Sequence, residues 1–341
     1  IALRLVGSEM CIRDSPGRRI KWDLILFLNI MPLTGRKLRL LKMTSLNKKT
    51  TQIAFLGLGV MGYPIAGHLK KAGYHVTVYN RTNSKSINWV NQYGGSLGKT
   101  PAEAATGADV VMACVGNDDD LRAVCLGPDG AFNAMSDGSK FVDHTTVSSA
   151  VTHELYEIAK SQGVAFIDAP VSGGQAGAEN GALSIMCGGD QAVYDLVEPV
   201  ISVYSKLCRR IGPNGAGQLT KMCNQIAIAG LVQGLSEALH FADHAGLDGA
   251  SVIEVISQGA AGSWQMSNRY KTMLEDHFEH GFAVDWMRKD LGICLKTADE
   301  NGASLPVTAI VDQFYKDVQN MGGGRWDTSS LFKRLQKVKT S

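Results

Sequence analysis

Gln52-Ile53-Ala54-Phe55-Leu56-Gly57-Leu58-Gly59-Val60-Met61-Gly62 is the stretch that decides the fold. A short apolar run is ended by glycines, and an amphipathic stretch follows as far as Lys71, where Gly73 stops it as a C′ glycine does. A G-x-G-x-x-G that closes a strand and opens a helix is a dinucleotide-binding turn. The first glycine permits the sharp turn, the second lets backbone reach a pyrophosphate, and the third lets helix and strand pack closely. The helix N-terminus adds partial positive charge. Gly57, Leu58, Gly59, Val60, Met61 and Gly62 are therefore the first candidate cofactor-binding residues.

Working outward, His75–Tyr79, Asp109–Val115, Lys140–Asp143, Ala165–Asp168 and Leu183–Cys187 read as strands with helical segments between them. That alternation implies parallel βαβ units and a doubly wound, Rossmann-like α/β domain over residues 51–213. Beyond Pro213 the strands stop. Gln218 to Ala245 keeps helical periodicity for roughly 28 residues, about 42 Å, which predicts a helix running between two domains. Residues 246–338 stay helical in pattern, with breaks near Gly259–Gly262, Gly281, Pro306 and Gly322–Gly324. Asp327 reads as the N-cap of the last helix, and 214–341 is expected to be all-helical.

The chain has 341 residues, 45% of them apolar and 19% charged, values of a globular protein with a sizeable core. Its charge is uneven. Residues 1–49 hold eleven Lys and Arg against three Asp and Glu, whereas the remainder carries 23 basic against 29 acidic residues. An acidic body without a basic run is a poor partner for nucleic acid. The basic leader, residues 1–48, is expected to be foreign or disordered. Glu9–Asp14 back-translates to GAG-ATG-TGT-ATA-AGA-GAC, which resembles a sequencing-library adapter, so Met43 is the expected start. Arg18, Arg19 and Lys21 precede the apolar run Leu24–Met31, but no small-x-small cleavage site follows that run. No stretch reaches ~18 uninterrupted apolar residues, so no membrane span is expected. The seven cysteines stand singly, which reads as reduced thiols in a cytoplasmic protein, and neither a zinc spacing nor any other metal centre is expected.

Three further segments carry chemistry. The second strand ends Val78-Tyr79-Asn80-Arg81-Thr82, without the carboxylate that would hold the ribose 2′-hydroxyl of NAD. Arg81 can instead meet a 2′-phosphate, so NADP is favoured over NAD. Asp168-Ala169-Pro170-Val171-Ser172-Gly173-Gly174 sets a hydroxyl beside consecutive backbone N–H groups, a compact nest for a carboxylate. Gly215-Ala216-Gly217-Gln218-Leu219-Thr220-Lys221-Met222-Cys223-Asn224-Gln225 places a lysine among apolar neighbours early on the long helix. Asp118-Asp119-Asp120, after a strand and before a helix, reads as helix capping rather than a metal site.

Glycine fingerprint, D-A-P-V-S-G-G loop, lysine helix and Arg288-Lys289-Asp290-Leu291 occur in order over about residues 52–338. Together they resemble the β-hydroxyacid dehydrogenase family, which includes 3-hydroxyisobutyrate dehydrogenase and tartronate semialdehyde reductase. The resemblance implies the architecture above, assembly as homodimers or homotetramers, and Lys221 as the catalytic residue. It implies that Ser172, Gly173 and Gly174 bind the substrate carboxylate, and that Val115, Gly116, Thr146 and Lys289 line the cofactor together with Asn80, Arg81 and Thr82. The family often carries asparagine one turn after the lysine. Here Asn224 stands at i+3 and Gln225 at i+4, and either lies on the lysine's face, so the substrate-positioning role goes to the pair.

The activity so implied is interconversion of a small 3-hydroxy acid, such as 3-hydroxyisobutyrate or glycerate, with its semialdehyde. Lys221 gives or takes the hydroxyl proton. The alternative is a non-catalytic NADP-binding scaffold of the same fold, against which Lys221, Ser172 and Lys289 argue. An imine reductase would replace the lysine.

Overall fold

The computed structural model describes residues 3–6, 9–14, 18–22 and 46–337. The chain divides into two units, Ile1–Leu46 and Asn47–Ser341. In the first, Leu3–Val6, Glu9–Asp14 and Arg18–Trp22 pair as an antiparallel sheet. The leader's apolar run and Met43 lie outside the described residues.

The second unit begins with β1 (Gln52–Leu56), followed by α1 (Gly62–Lys71), β2 (His75–Tyr79), α2 (Asn83–Tyr93), β3 (Ser96–Leu97) and α3 (Pro101–Ala105). Next come β4 (Val110–Ala113), α4 (Asp118–Leu126), β5 (Lys140–Asp143), α5 (Ser149–Ser161) and β6 (Ala165–Asp168). These six strands pair in parallel in the order β3-β2-β1-β4-β5-β6, the doubly wound arrangement. The direction of winding reverses between β1 and β4, where their carboxyl ends open a crevice. Residues 53–56 of β1 and all of β4 are buried on both faces, which is why they read as unbroken apolar runs, while the equally buried β5 carries Lys140 and Asp143 at its ends.

Beyond β6 the sheet changes character. β7 (Val171–Ser172), α6 (Gly174–Glu179), β8 (Leu183–Gly189), α7 (Gln191–Ile201) and β9 (Ser205–Gly212) complete it. β8 runs antiparallel to β6 and to β7, and β9 joins β8 in parallel. The sequence reading missed the two-residue strands β3 and β7, too short to show a pattern, and β9, whose Lys206, Arg209 and Arg210 interrupt any apolar alternation. Such charges suit an edge strand, where they hinder pairing with another sheet.

α8 (Ala216–His244) then spans 29 residues, two residues longer at its start than the periodicity placed it. Its first half rests on the sheet domain. Its second half enters a helical layer of α9 (Gly249–Ile256), α10 (Trp264–Leu274), α11 (Val284–Asn301), α12 (Pro306–Asn320) and α13 (Leu331–Lys337). Ala229 and Val232 of α8 pack with Met287, Leu291, Val311 and Tyr315, while Leu235 and Leu239 pack with Ile253, Met273 and Phe332. Asp327 caps the turn before α13 by accepting the Ser329 N–H, as the sequence predicts. No helix among the described residues is long and apolar enough to cross a membrane.

Candidate functional site

The glycine turn sits at the carboxyl end of β1, on the crevice. Gly57 holds φ +99°, and a Cβ there would lie 2.3 Å from the Cys114 carbonyl oxygen. A Cβ on Gly62 would lie 2.0 Å from the Gly57 oxygen, so the third glycine lets the start of α1 close onto the turn. A Cβ on Gly59 would meet nothing, and Val60 beside it is exposed. An open backbone edge, at a helix N-terminus that Met61 caps without a side-chain bond, fits a pyrophosphate. Asn80 Oδ1 accepts the Leu58 N–H at 2.8 Å and ties the turn to the end of β2. Arg81 and Thr82 follow at the exposed rim, where Arg81 pairs with Asp120 at 2.9 Å. Asn117, not Asp118, is the N-cap of α4, and the three aspartates fill its first turn.

Across the switch point, Val115 donates to Thr145 Oγ1, and Thr145 N–H donates to the buried Asp143. Lys289, on α11 of the helical layer, reaches this edge. Its ammonium donates to the Gly116 carbonyl at 3.2 Å and to the Thr146 carbonyl. It also pairs with Asp290 at 3.1 Å. The structure thus gathers Val115, Gly116, Thr146 and Lys289 into one rim. Trp286, one turn earlier on α11, faces the same loop and lies 3.3 Å from where a Cβ of Gly116 would stand. Sequence reasoning passed it over, because an aromatic on a helix normally reads as core.

The lysine helix starts on a buried carboxylate. Asp168, at the end of β6, accepts the N–H groups of Gly215 at 2.8 Å and Gln218 at 3.0 Å. Burial raises its pKa and those N–H donors pull it back. Gln218 in turn donates to the Thr145 carbonyl at 2.7 Å. Lys221, one turn on, is buried. Desolvation lowers its pKa below the ordinary lysine value. Lys289 pushes the same way, while Asp290 opposes. Asp168 and Gln218 were not predicted to act here. Their signal was a buried polar residue beside each motif, which only the fold makes visible.

On the substrate side, Gly173 and Gly174 hold φ +132° and +62° and open the exposed end of α6. Ser172 Oγ donates to Asn224 Oδ1 at 3.3 Å, and Asn224 donates to Gln225 Oε1 at 2.7 Å. Gln225 donates to Asp290 at 2.7 Å. The pair left open by the sequence therefore divides. Asn224 is half-buried against Ser172, whereas Gln225 is buried and holds the carboxylate that pairs with Lys289. A continuous polar chain links Ser172 to Lys289 past Lys221.

A family model described as the NAD-binding domain of 6-phosphogluconate dehydrogenase matches residues 52–212. A second, for the NAD-binding region of NADP-dependent 3-hydroxyisobutyrate dehydrogenase, matches 215–335. A probable 3-hydroxyisobutyrate dehydrogenase-like protein of Arabidopsis thaliana is 40% identical over 84% of this chain and 86% of its own length. The chain belongs to the β-hydroxyacid dehydrogenase family. Another relative, an uncharacterised oxidoreductase of Shewanella frigidimarina, is 62% identical over 85% of this chain and 99% of its own. The solved 3-hydroxyisobutyrate dehydrogenase of Mycobacterium tuberculosis with L-serine is 28% identical and superposes at a TM-score of 0.76, over 84% of this chain and 99% of that one.

One side-chain group falls outside every residue singled out in the sequence: His240, Asp243 and His244 bring their ligand atoms within 4.8 Å of one another near the end of α8. Spacings of three and four on a helix put all three on one face.

Proposed function

We propose that this β-hydroxyacid dehydrogenase interconverts a small 3-hydroxy acid, of the size of 3-hydroxyisobutyrate or glycerate, and its semialdehyde, with Lys221 as the acid/base. The observation that carries the reading is the buried lysine flanked by the Ser172–Asn224–Gln225–Asp290–Lys289 chain. A buried ammonium is costly to hold, so a protein that only displayed its fold would gain nothing from keeping one there. The solved relative that carries L-serine, itself a 3-hydroxy acid, supports this substrate class.

Ser172 Oγ and the N–H groups at Gly173 and Gly174 bind the substrate carboxylate, and Asn224 orients it against Ser172. A bound nicotinamide supplies or accepts the hydride at the carbinol carbon. In reduction, Lys221 Nζ delivers a proton to the carbonyl oxygen. In oxidation, the neutral amine takes the proton from the hydroxyl. Because burial lowers the lysine pKa, oxidation rises with pH through a midpoint below the free value of ~10.4, and reduction falls through the same midpoint. Lys289, held on the Gly116 and Thr146 carbonyls, fixes the cofactor rim and adds positive charge beside Lys221.

NADP is the favoured cofactor, because no carboxylate ends β2 and Arg81 is exposed there. Its pairing with Asp120 is a surface ion pair worth ~0–1 kcal/mol, less than the ~1.5–3 kcal/mol of a charged hydrogen bond to phosphate. The reading extends to a homodimer or homotetramer in the cytoplasm, without nucleic acid or membrane partners. Exposed Val307 and Ile310, side by side on α12, supply apolar surface for assembly.

The test is absorbance at 340 nm across small 3-hydroxy acids and semialdehydes, each with NAD(H) and NADP(H). Turnover with one acid, faster with NADP(H), is the expected result. Lys221→Met should lower kcat by ~10²–10⁴-fold with cofactor binding retained. Wild-type turnover in that variant would overturn the assignment. Silence across the panel with cofactor still bound would favour the scaffold alternative.

A further inference from the structure

We propose that His240, Asp243 and His244 form a binding site for a divalent transition-metal ion of the zinc class. Imidazole and carboxylate ligands suit zinc, nickel or copper, whereas magnesium and calcium take oxygen ligands. The two imidazole rings lie 4.3 Å apart, centre to centre, at 68° to each other. With all three ligand atoms within 4.8 Å, small side-chain rotations bring them onto one ion at the ~2.0–2.2 Å that zinc requires.

A second observation fixes the chemistry of one ligand. His244 Nδ1 lies 3.0 Å from the His240 carbonyl oxygen. A carbonyl only accepts, so Nδ1 carries the hydrogen and Nε2 keeps its lone pair. Carbonyl partners set metal-binding histidines in this same way, orienting the ring and raising its basicity. Asp243 contributes the negative charge that the imidazoles lack. The last-turn carbonyls of α8 add the negative end of the helix dipole. Asp243 and His244 are exposed, so an ion arrives directly from solvent, with water completing its shell.

The site is separate from the catalytic one. Lys221 lies on the same helix but about 30 Å away at 1.5 Å per residue. Its effect is on the end of α8. Three ligands joined through one ion staple the last turn, and an ion that binds only the folded helix stabilises it by mass action.

Titration of the tag-free full chain with Zn²⁺ by calorimetry, and with Co²⁺ by visible absorption, tests the proposal. The expected result is one ion per chain at micromolar concentration, with Co²⁺ bands free of sulfur charge transfer. His244→Ala should weaken binding ~10–100-fold, and Asp243→Asn by less. Zn²⁺ should raise the Tm of the wild-type chain but not of His244→Ala, and both variants should keep wild-type helicity and turnover. Three results would overturn the proposal. These are unchanged affinity and stoichiometry in His244→Ala, no saturable binding up to millimolar metal, and thiolate bands that place the ion on cysteine.

Discussion

Two glycine loops line the crevice, and they use glycine for opposite reasons. In the first, Gly57 to Gly62, a side chain on either end glycine would strike backbone, at 2.3 Å and 2.0 Å. In the second, Ser172 to Gly174, a Cβ on Gly174 would meet nothing, and the loop is exposed. The fold itself demands the first pair, whereas in the second a Cβ on Gly173 would meet only the end of the Leu183 side chain, at 3.2 Å, and backbone direction and what the loop receives carry the demand. A turn required by packing can be read from one chain. A loop required by its ligand needs the ligand, or a relative, to explain it.

The largest effect that follows is at Gly62. Gly62→Ala drives a methyl into the Gly57 carbonyl, and overpacking of this kind costs ~1–3 kcal/mol or more. Urea melts should show that loss together with failure to bind dinucleotide by fluorescence. An unchanged cofactor Kd would break the contrast between the loops.

A smaller effect probes the floor of the first turn. Val115, beside the Cys114 carbonyl, rests on Thr145, and Thr145 on Asp143. Burial raises the Asp143 carboxyl to about 7 and lowers neighbouring His144 to about 4. Each buried group is neutral, so their pH slopes oppose. Between about 4 and 6.5 the unfolded chain charges His144 and loses the Asp143 proton. His144 alone loses stability as pH falls through that window, and Asp143 alone loses it as pH rises. Asp143→Asn keeps an oxygen for the Thr145 N–H and removes one slope. Its stability should then fall by ~2 kcal/mol from pH 7 to pH 5, at ~1.36 kcal/mol per unit, while the wild-type chain changes less. Equal pH dependence in both would refute the opposition.

The smallest effect belongs to the second loop. Gly174→Ala accepts the left-handed φ of +62° at a cost of ~1–2 kcal/mol, with no clash to add. Cofactor affinity should stay fixed while KM for the acid rises. A loss as large as that of Gly62→Ala would erase the distinction.

The same contrast explains what the sequence revealed. β1 and β4 were legible because strands buried on both faces read as apolar runs, and the long helix because its periodicity persists through Ala229, Val232 and Leu239, whereas the two-residue β3 was missed. β9 was hidden by charges that an edge strand tolerates. Lys221, Ser172 and Lys289 stood out through resemblance. Asp168, Gln218 and Trp286 did not, since their partners lie dozens of residues away in the chain. His240 and His244 went unremarked, although their i, i+4 spacing falls within the helix that the periodicity predicts.

The Asp168 carboxylate that holds the first turn of α8 has an evolutionary consequence. Ser172 follows it by four residues and Lys221 stands one turn beyond its N–H donors, so the proposed carboxylate nest and proton donor ride on one anchor. The helical layer packs onto the same helix farther along, at Ala229 to Leu239. Substitutions there can repack the helical layer without moving Lys221 relative to Ser172. Under the proposed function, inheritance of the reaction is thereby uncoupled from drift in the substrate, and a lineage can change what it acts on while leaving intact how it does so.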